Sequence, residues 1–146
     1  MPTLSPTHRF RRQHGELGEL AKTLIGLVDD EAALARDPSA ARRALSALSG
    51  RLKVHAAMED EALYPRLLAH SNDELRAVAK RIHDSFGGIY GAFSAYSEEW
   101  PPSKIEASPR AFAQATREVM RALASRIQLE NDELYALVDR VEATEL

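Results

Sequence analysis

A histidine and a glutamate four residues apart, His55 and Glu59, fall within an apolar helical repeat. Residues at this separation share one side of an α-helix, and the same side carries Leu45, Leu48 and Leu52. We therefore expect both polar side chains to point toward the interior of the protein. Buried polar groups are costly unless they are bound, and a metal ion shared with other helices would bind them.

The other predicted helices carry polar residues within their own apolar rows. At a rise of about 1.5 Å per residue, these residues lie at about the same height along the axis of an antiparallel bundle. Three imidazoles and two carboxylates at one level suit iron, manganese or zinc, whereas a purely structural core avoids such groups. The predicted metal ligands are His14, His55, Glu59, His83 and Glu130.

Helical periodicity runs along the chain without any alternating strand pattern, which predicts an all-α protein. Helices are expected over about 6–36, from Pro38 to about 69, from a capping box at Ser71 to about 100, and from Ser108 onward. Short connections predict an antiparallel, up-down-up-down four-helix bundle. The segment 100–108 is expected to be a mobile loop with Trp100 as a lid anchor, and no internal repeat is recognised. Tyr64 and Tyr135 are assigned to the core between helices.

Composition narrows the class of protein. The length of 146 residues predicts a single domain over 1–146. The net charge of -3 and the lack of a basic stripe argue against nucleic acid as a partner. It contains no cysteine, which excludes a thiolate nucleophile, a disulfide and a cysteine-ligated metal. No signal segment or membrane span is recognised, so we expect a cytoplasmic protein.

These residues resemble the hemerythrin-like, HHE cation-binding family over nearly the whole chain. The motifs that carry the resemblance are His14, His55-x-x-x-Glu59-x-Glu61-x-Leu63-Tyr64-Pro65, His83 and Ile127-x-x-Glu130-Asn131-x-x-Leu134-Tyr135. The resemblance implies a four-helix bundle with two non-haem irons, which Glu59 and Glu130 bridge and His14, His55 and His83 cap. It also implies a protein that binds or senses oxygen or nitric oxide, or that handles iron or takes part in repair.

The chain departs from the family at Arg126, where the family normally has a histidine four residues before its helix 4 glutamate. Arginine stays protonated and cannot act as a normal metal ligand. We therefore expect a reduced site, with one iron or an asymmetric pair. A guanidinium directed at Glu59 or Glu130 would replace the charge of a missing cation.

Arg126 also supports a second hypothesis, a metal-free bundle that acts as a regulatory or partner-binding module. A ferritin-like oxidase is disfavoured because the Glu-x-x-His spacing is absent, and a metalloprotease because His-Glu-x-x-His is absent. No nucleophile or organic cofactor motif is present, so enzymatic turnover is not expected. A small diatomic molecule is the expected ligand, with a protein partner or a homodimer as further candidates and no membrane partner.

Overall fold

The computed structural model describes residues 4–144, and within this range helices are the only regular elements. The all-α class and the helical bundle are thereby confirmed. The α-helices are α1 (His8–Val28), α2 (Glu31–Arg36), α3 (Pro38–Met58), α4 (Tyr64–Leu68), α5 (Asp73–Phe86), α6 (Ile89–Glu98), α7 (Pro102–Ala107), α8 (Pro109–Leu129) and α9 (Ala136–Thr144). Two π-helical segments, π1 (Glu59–Leu63) and π2 (Glu130–Tyr135), connect α3 to α4 and α8 to α9.

Local capping divides the first predicted helix into two. α1 ends at Val28, and Asp30 begins α2 by accepting a hydrogen bond from the backbone amide of Ala33. Asp37 begins α3 in the same way, through the amide of Ala40, with Pro38 in the first turn as predicted.

The third predicted helix also differs in its start and its continuity. Asn72 caps α5 by accepting from the amide of Leu75, so the predicted cap at Ser71 is wrong by one residue. The helix breaks at Gly87 and Gly88 before α6 begins. A side chain at position 87 would put its Cβ 2.5 Å from the carbonyl oxygen of His83, so the turn requires glycine there.

The segment predicted as a mobile loop contains α7 instead. Ile105 of α7 is fully buried, and Trp100 is only 6% exposed, with its ring centroid 5.3 Å from that of Phe112. Both side chains belong to one apolar core. Burial of these residues explains why the segment folds as a helix rather than extending into solvent.

Contacts at the two ends of α1 show that it runs in the opposite direction to α8 and α9. The hydroxyl of Thr7, just before α1, donates to Asp139 of α9 at 2.9 Å, and at the other end of α1 the carbonyl of Val28 accepts from Arg117 of α8. α6 packs on both α3 and α8. This order of contacts is the one expected of antiparallel neighbours in a bundle.

Two apolar clusters fill the bundle, with a layer of buried polar residues between them. Along α1, Phe10 belongs to one cluster and Leu17 to the other, with His14 between them. Along α8 and π2, Leu123 and Leu134 stand on either side of the polar positions in the same way. No helix in the described part of the chain is long and apolar enough to span a membrane.

Candidate metal centre

Four of the predicted ligands converge in the polar layer. His14, His55, Glu59 and Glu130 each offer one donor atom, and these atoms lie within 4.8 Å of one another. Nε2 of His55 is 2.7 Å from Oε1 of Glu59, and Nε2 of His14 is 3.4 Å from Oε1 of Glu130. Metal bonds of about 2.1 Å would separate neighbouring donors by about 3 Å, so these spacings fit one shared ion.

The fifth predicted ligand, His83, is not part of this group. Its side chain is 46% exposed, and its Nδ1 lies 3.8 Å from Asp84 on the surface. The adjacent Ile82 takes the buried position at this turn of α5. The inward position expected for His83 is therefore not observed, because Ile82 and not its neighbour faces the core.

Two amide side chains orient the imidazoles. Nδ1 of His14 lies 2.7 Å from Oδ1 of Asn131, and Nδ1 of His55 lies 2.6 Å from Oε1 of Gln13. An amide oxygen only accepts hydrogen bonds, so each Nδ1 must carry its proton and donate it. In the neutral rings, both Nε2 lone pairs are then directed into the site.

These two Nε2 atoms lie only 3.0 Å apart. Two lone pairs at this distance repel each other unless a proton or a cation lies between them. Oε1 of Glu130 is also buried, with no hydrogen-bond partner. A metal ion would use all three atoms, so the residues present fit a bound cation.

Both carboxylates stand at the start of a π segment. The amide of Tyr64 bonds to the carbonyl of Glu59, five residues earlier, in place of the usual four. In a regular α-helix, residues five apart are separated by about 140° around the axis. The extra residue in the π turn brings Tyr64 back toward the face of Glu59, which is a common use of π segments at functional sites.

Arg126 lies against both carboxylates. Its Nη2 donates to Oε2 of Glu59 at 2.9 Å, and its Nε is 3.5 Å from Oε2 of Glu130. Its Nη1 donates to the carbonyl of Phe86 at 2.8 Å, and its side chain is only 2% exposed. The expected pairing of Arg126 with the glutamates is thus present, and it involves both of them.

Three tyrosines, which the sequence analysis did not include in the site, complete it. The hydroxyl of Tyr64 donates to Oε2 of Glu130 at 2.7 Å, and that of Tyr90 donates to Oε2 of Glu59 at 2.7 Å. Tyr135 stacks on His14 and reaches Oε1 of Glu59 at 3.3 Å. Burial raises the pKa of all three phenols, so they remain protonated donors.

An internal repeat in the sequence points to two of these tyrosines. His55-x-x-x-Glu59-x-x-x-Leu63-Tyr64 has the same spacing as Arg126-x-x-x-Glu130-x-x-x-Leu134-Tyr135. The prediction that the chain lacks internal repeats is therefore incomplete. Each copy begins its π segment at the glutamate, so the shared pattern corresponds to a shared backbone feature.

The charges of the site affect its protonation. Burial alone would lower the pKa of His14, but its contacts with Glu130 and Glu59 outweigh burial and raise it to about 9. Burial likewise raises the pKa of Glu59, but His14, His55 and Arg126 outweigh it and hold the value below the usual range. The pKa of Glu130 is raised, because burial and the charge of Glu59 both favour the protonated form.

A cleft between α1 and α8 reaches the site. Its volume is about 300 Å³. Apolar side chains of both helices form most of its wall, with Gly18 on α1 and with His14 and Asn131 beside the metal centre. The cleft is large enough to admit a small molecule as far as the ring of His14.

The metal-free protein should lose stability as the pH rises from about 6.5 to about 9. The folded-state pKa of His14 is raised, so its contribution is complete below the unfolded value and disappears as the pH passes through the folded value. The contribution is on the order of 3 kcal/mol at most. Urea unfolding in the presence of a chelator, at pH 6.5 and 9.5, measures the loss.

His14→Gln should reduce this pH dependence, whereas His8→Gln, which changes an exposed histidine at the start of α1, should retain it. Equal losses in wild-type protein and His14→Gln would show that His14 does not carry the effect.

Comparison with known proteins agrees with this geometry. The profile of the hemerythrin HHE cation binding domain matches residues 5–138. No curated protein and no solved structure matches the chain significantly. The matched range contains all four converging residues of the centre, from His14 to Glu130. The chain therefore belongs to the hemerythrin HHE cation-binding domain family.

Proposed function

We propose that this protein holds non-haem iron through His14, His55, Glu59 and Glu130 and uses it to bind or sense a small oxidant such as oxygen or nitric oxide. The observation that carries the proposal is the pair of Nε2 atoms 3.0 Å apart, each directed inward by a hydrogen bond at Nδ1. Imidazole and carboxylate ligands suit iron, although they also suit zinc and manganese. Iron handling is a further role that the same site would serve.

Bound iron would supply a change of oxidation state and an open coordination position for a small ligand. The protein's own contribution is to bury the donors and to fix their positions. The side chains of the four ligands are at most 2% exposed, and apolar clusters lie on both sides of them. The ring of Tyr135 stacks on His14, and its hydroxyl oxygen lies 3.4 Å from Nε2 of that residue.

The ion pairs of Arg126 favour a second candidate function, a metal-free bundle that acts as a regulatory or partner-binding module. In that case Arg126 would neutralise much of the charge of Glu59 and Glu130 by itself. A cytoplasmic location, and a homodimer or another protein as partner, remain predictions from the sequence under either function.

Anaerobic addition of ferrous iron to the chelator-treated protein distinguishes these candidates. We expect protein-bound iron after desalting, a higher melting temperature, and an absorption change when oxygen or nitric oxide is added. His55→Ala should abolish all three responses, and His8→Ala should retain them because His8 lies on the surface. Metal content and melting temperature that do not respond to iron would support the metal-free module instead.

Asn131 should control affinity without being a ligand. Asn131→Leu removes the acceptor for the Nδ1 proton of His14, and loss of such a partner typically lowers metal affinity 10- to 100-fold. Asn131→Asp preserves an acceptor and should preserve tight binding. Competition with a coloured chelator measures both affinities, and equal loss in the two variants would contradict a role through His14.

Gly18→Leu should slow access to the site without weakening iron binding. A Cβ added at position 18 meets no atom within 4 Å, and Gly18 lines the cleft that reaches His14. Gly15→Leu is the matched control, because Gly15 lies on α1 with equal space but outside the cleft. Stopped-flow mixing of the iron-loaded variants with nitric oxide should give a several-fold lower rate for Gly18→Leu alone. Equal rates would exclude this route.

A further inference from the structure

We propose that the centre takes a single metal ion and that the guanidinium of Arg126 permanently occupies the place of a second cation. This inference rests on the proposed function, since it specifies how many ions the same site accepts. It follows from the contacts of the two carboxylates: one oxygen of each faces the imidazoles, and the other faces Arg126 and a tyrosine.

One oxygen of each glutamate faces the imidazoles. Oε1 of Glu59 lies 2.7 Å from Nε2 of His55, and Oε1 of Glu130 lies 3.4 Å from Nε2 of His14. Oε1 of Glu59 also accepts from the hydroxyl of Tyr135 at 3.3 Å, a contact that a bound ion would replace. Oε1 of Glu130 has no hydrogen-bond partner although it is buried. These four atoms form a donor set for one ion, with one atom in particular left unsatisfied.

The other oxygen of each glutamate is already bound. Oε2 of Glu59 accepts from Arg126 at 2.9 Å and from Tyr90 at 2.7 Å. Oε2 of Glu130 accepts from Tyr64 at 2.7 Å and lies 3.5 Å from Nε of Arg126. A cation that approached both Oε2 atoms would have to displace these donors and stand against the charge of Arg126.

Arg126 is held firmly in this position. The carbonyl of Phe86 accepts from its Nη1, and its guanidinium carbon lies 4.1 Å from the centre of the Tyr90 ring and 5.5 Å from that of Tyr64. A guanidinium stays protonated in proteins, so the charge of Arg126 is permanent. His83, the remaining imidazole predicted for the centre, is exposed; its ring centroid lies 5.3 Å from that of Tyr64, and its Nδ1 lies 3.8 Å from Asp84.

The internal repeat explains why the Oε1 side of the centre faces imidazoles while the Oε2 side faces an arginine. His55 and Arg126 occupy equivalent positions, each four residues before the glutamate that begins a π segment. In one copy a neutral base can bind a cation together with its carboxylate, whereas in the other the side chain brings its own positive charge. Two carboxylates and one guanidinium leave a single net negative charge, which suits one divalent ion rather than two.

Counting bound ions tests this directly. After anaerobic loading with excess ferrous iron and desalting, the wild-type protein should retain close to one ion per chain. Arg126→Lys should also retain about one, because the charge is preserved. Arg126→His should approach two, because it removes the permanent charge and adds an imidazole. Arg121→His, at an exposed position of α8, should remain at one and controls for an added histidine.

The outcomes separate the two proposals. Two ions in the wild-type protein would overturn the role of Arg126 and leave iron binding intact. No ion in the wild-type protein would overturn the proposed function itself. A single ion in a folded Arg126→His protein, checked by circular dichroism, would show that Arg126 does not exclude a second cation. If Arg126→His does not fold, two ions in Arg126→Lys would overturn the inference equally well.

Discussion

The burial of two carboxylates in the middle of a small helical bundle is the constraint on which the rest of this structure depends. Glu59 and Glu130 are fully buried, and an unpaired charge in such surroundings costs several kcal/mol or more. The side chains around them compensate for that cost in distinct ways. Arg126 supplies a fixed positive charge, the phenols of Tyr64 and Tyr90 supply hydrogen bonds, and the imidazoles face the oxygens that remain.

The backbone adapts to the same constraint. A π turn begins at each glutamate, and the extra residue allows the glutamate, the residue four positions before it and a tyrosine to share one face of a continuous helix. The apolar clusters on both sides of the polar layer give it surroundings of low dielectric constant, which strengthens each electrostatic contact within it. The low dielectric that makes the carboxylates costly thus also makes them effective at holding a cation.

The two copies of the repeat use this arrangement differently. Gln13 and Asn131 orient the imidazoles so that their Nε2 atoms face the Oε1 atoms, and on that side of the centre an imidazole can exchange a proton for a metal ion. Arg126 cannot release its proton and keeps the Oε2 side closed to exchange. A symmetric pattern of residues has therefore produced a centre with one exchangeable and one permanent positive charge.

Regular spacing alone was enough to predict the all-α class, the start of α3 at Pro38, and the inward faces of His14, His55, Glu59 and Glu130. These features depend on contacts within a few residues, and periodicity reports such contacts well. It could not separate His83 from Ile82, which are adjacent at the edge of one helix face. It also missed the breaks at 29–30 and 87–88, and the helix α7, whose formation reflects burial of Ile105.

The sequence by itself thus determined that His14, His55, Glu59 and Glu130 enter the interior and that arginine stands at position 126. Only the tertiary structure decided which donors meet and which carboxylate oxygens remain for a cation. The physical reason is that helix faces follow from local spacing, whereas distances across the bundle follow from register, and the π turns at Glu59 and Glu130 shift that register by one residue. That shift brings Tyr64 to Glu130 and Tyr135 to His14.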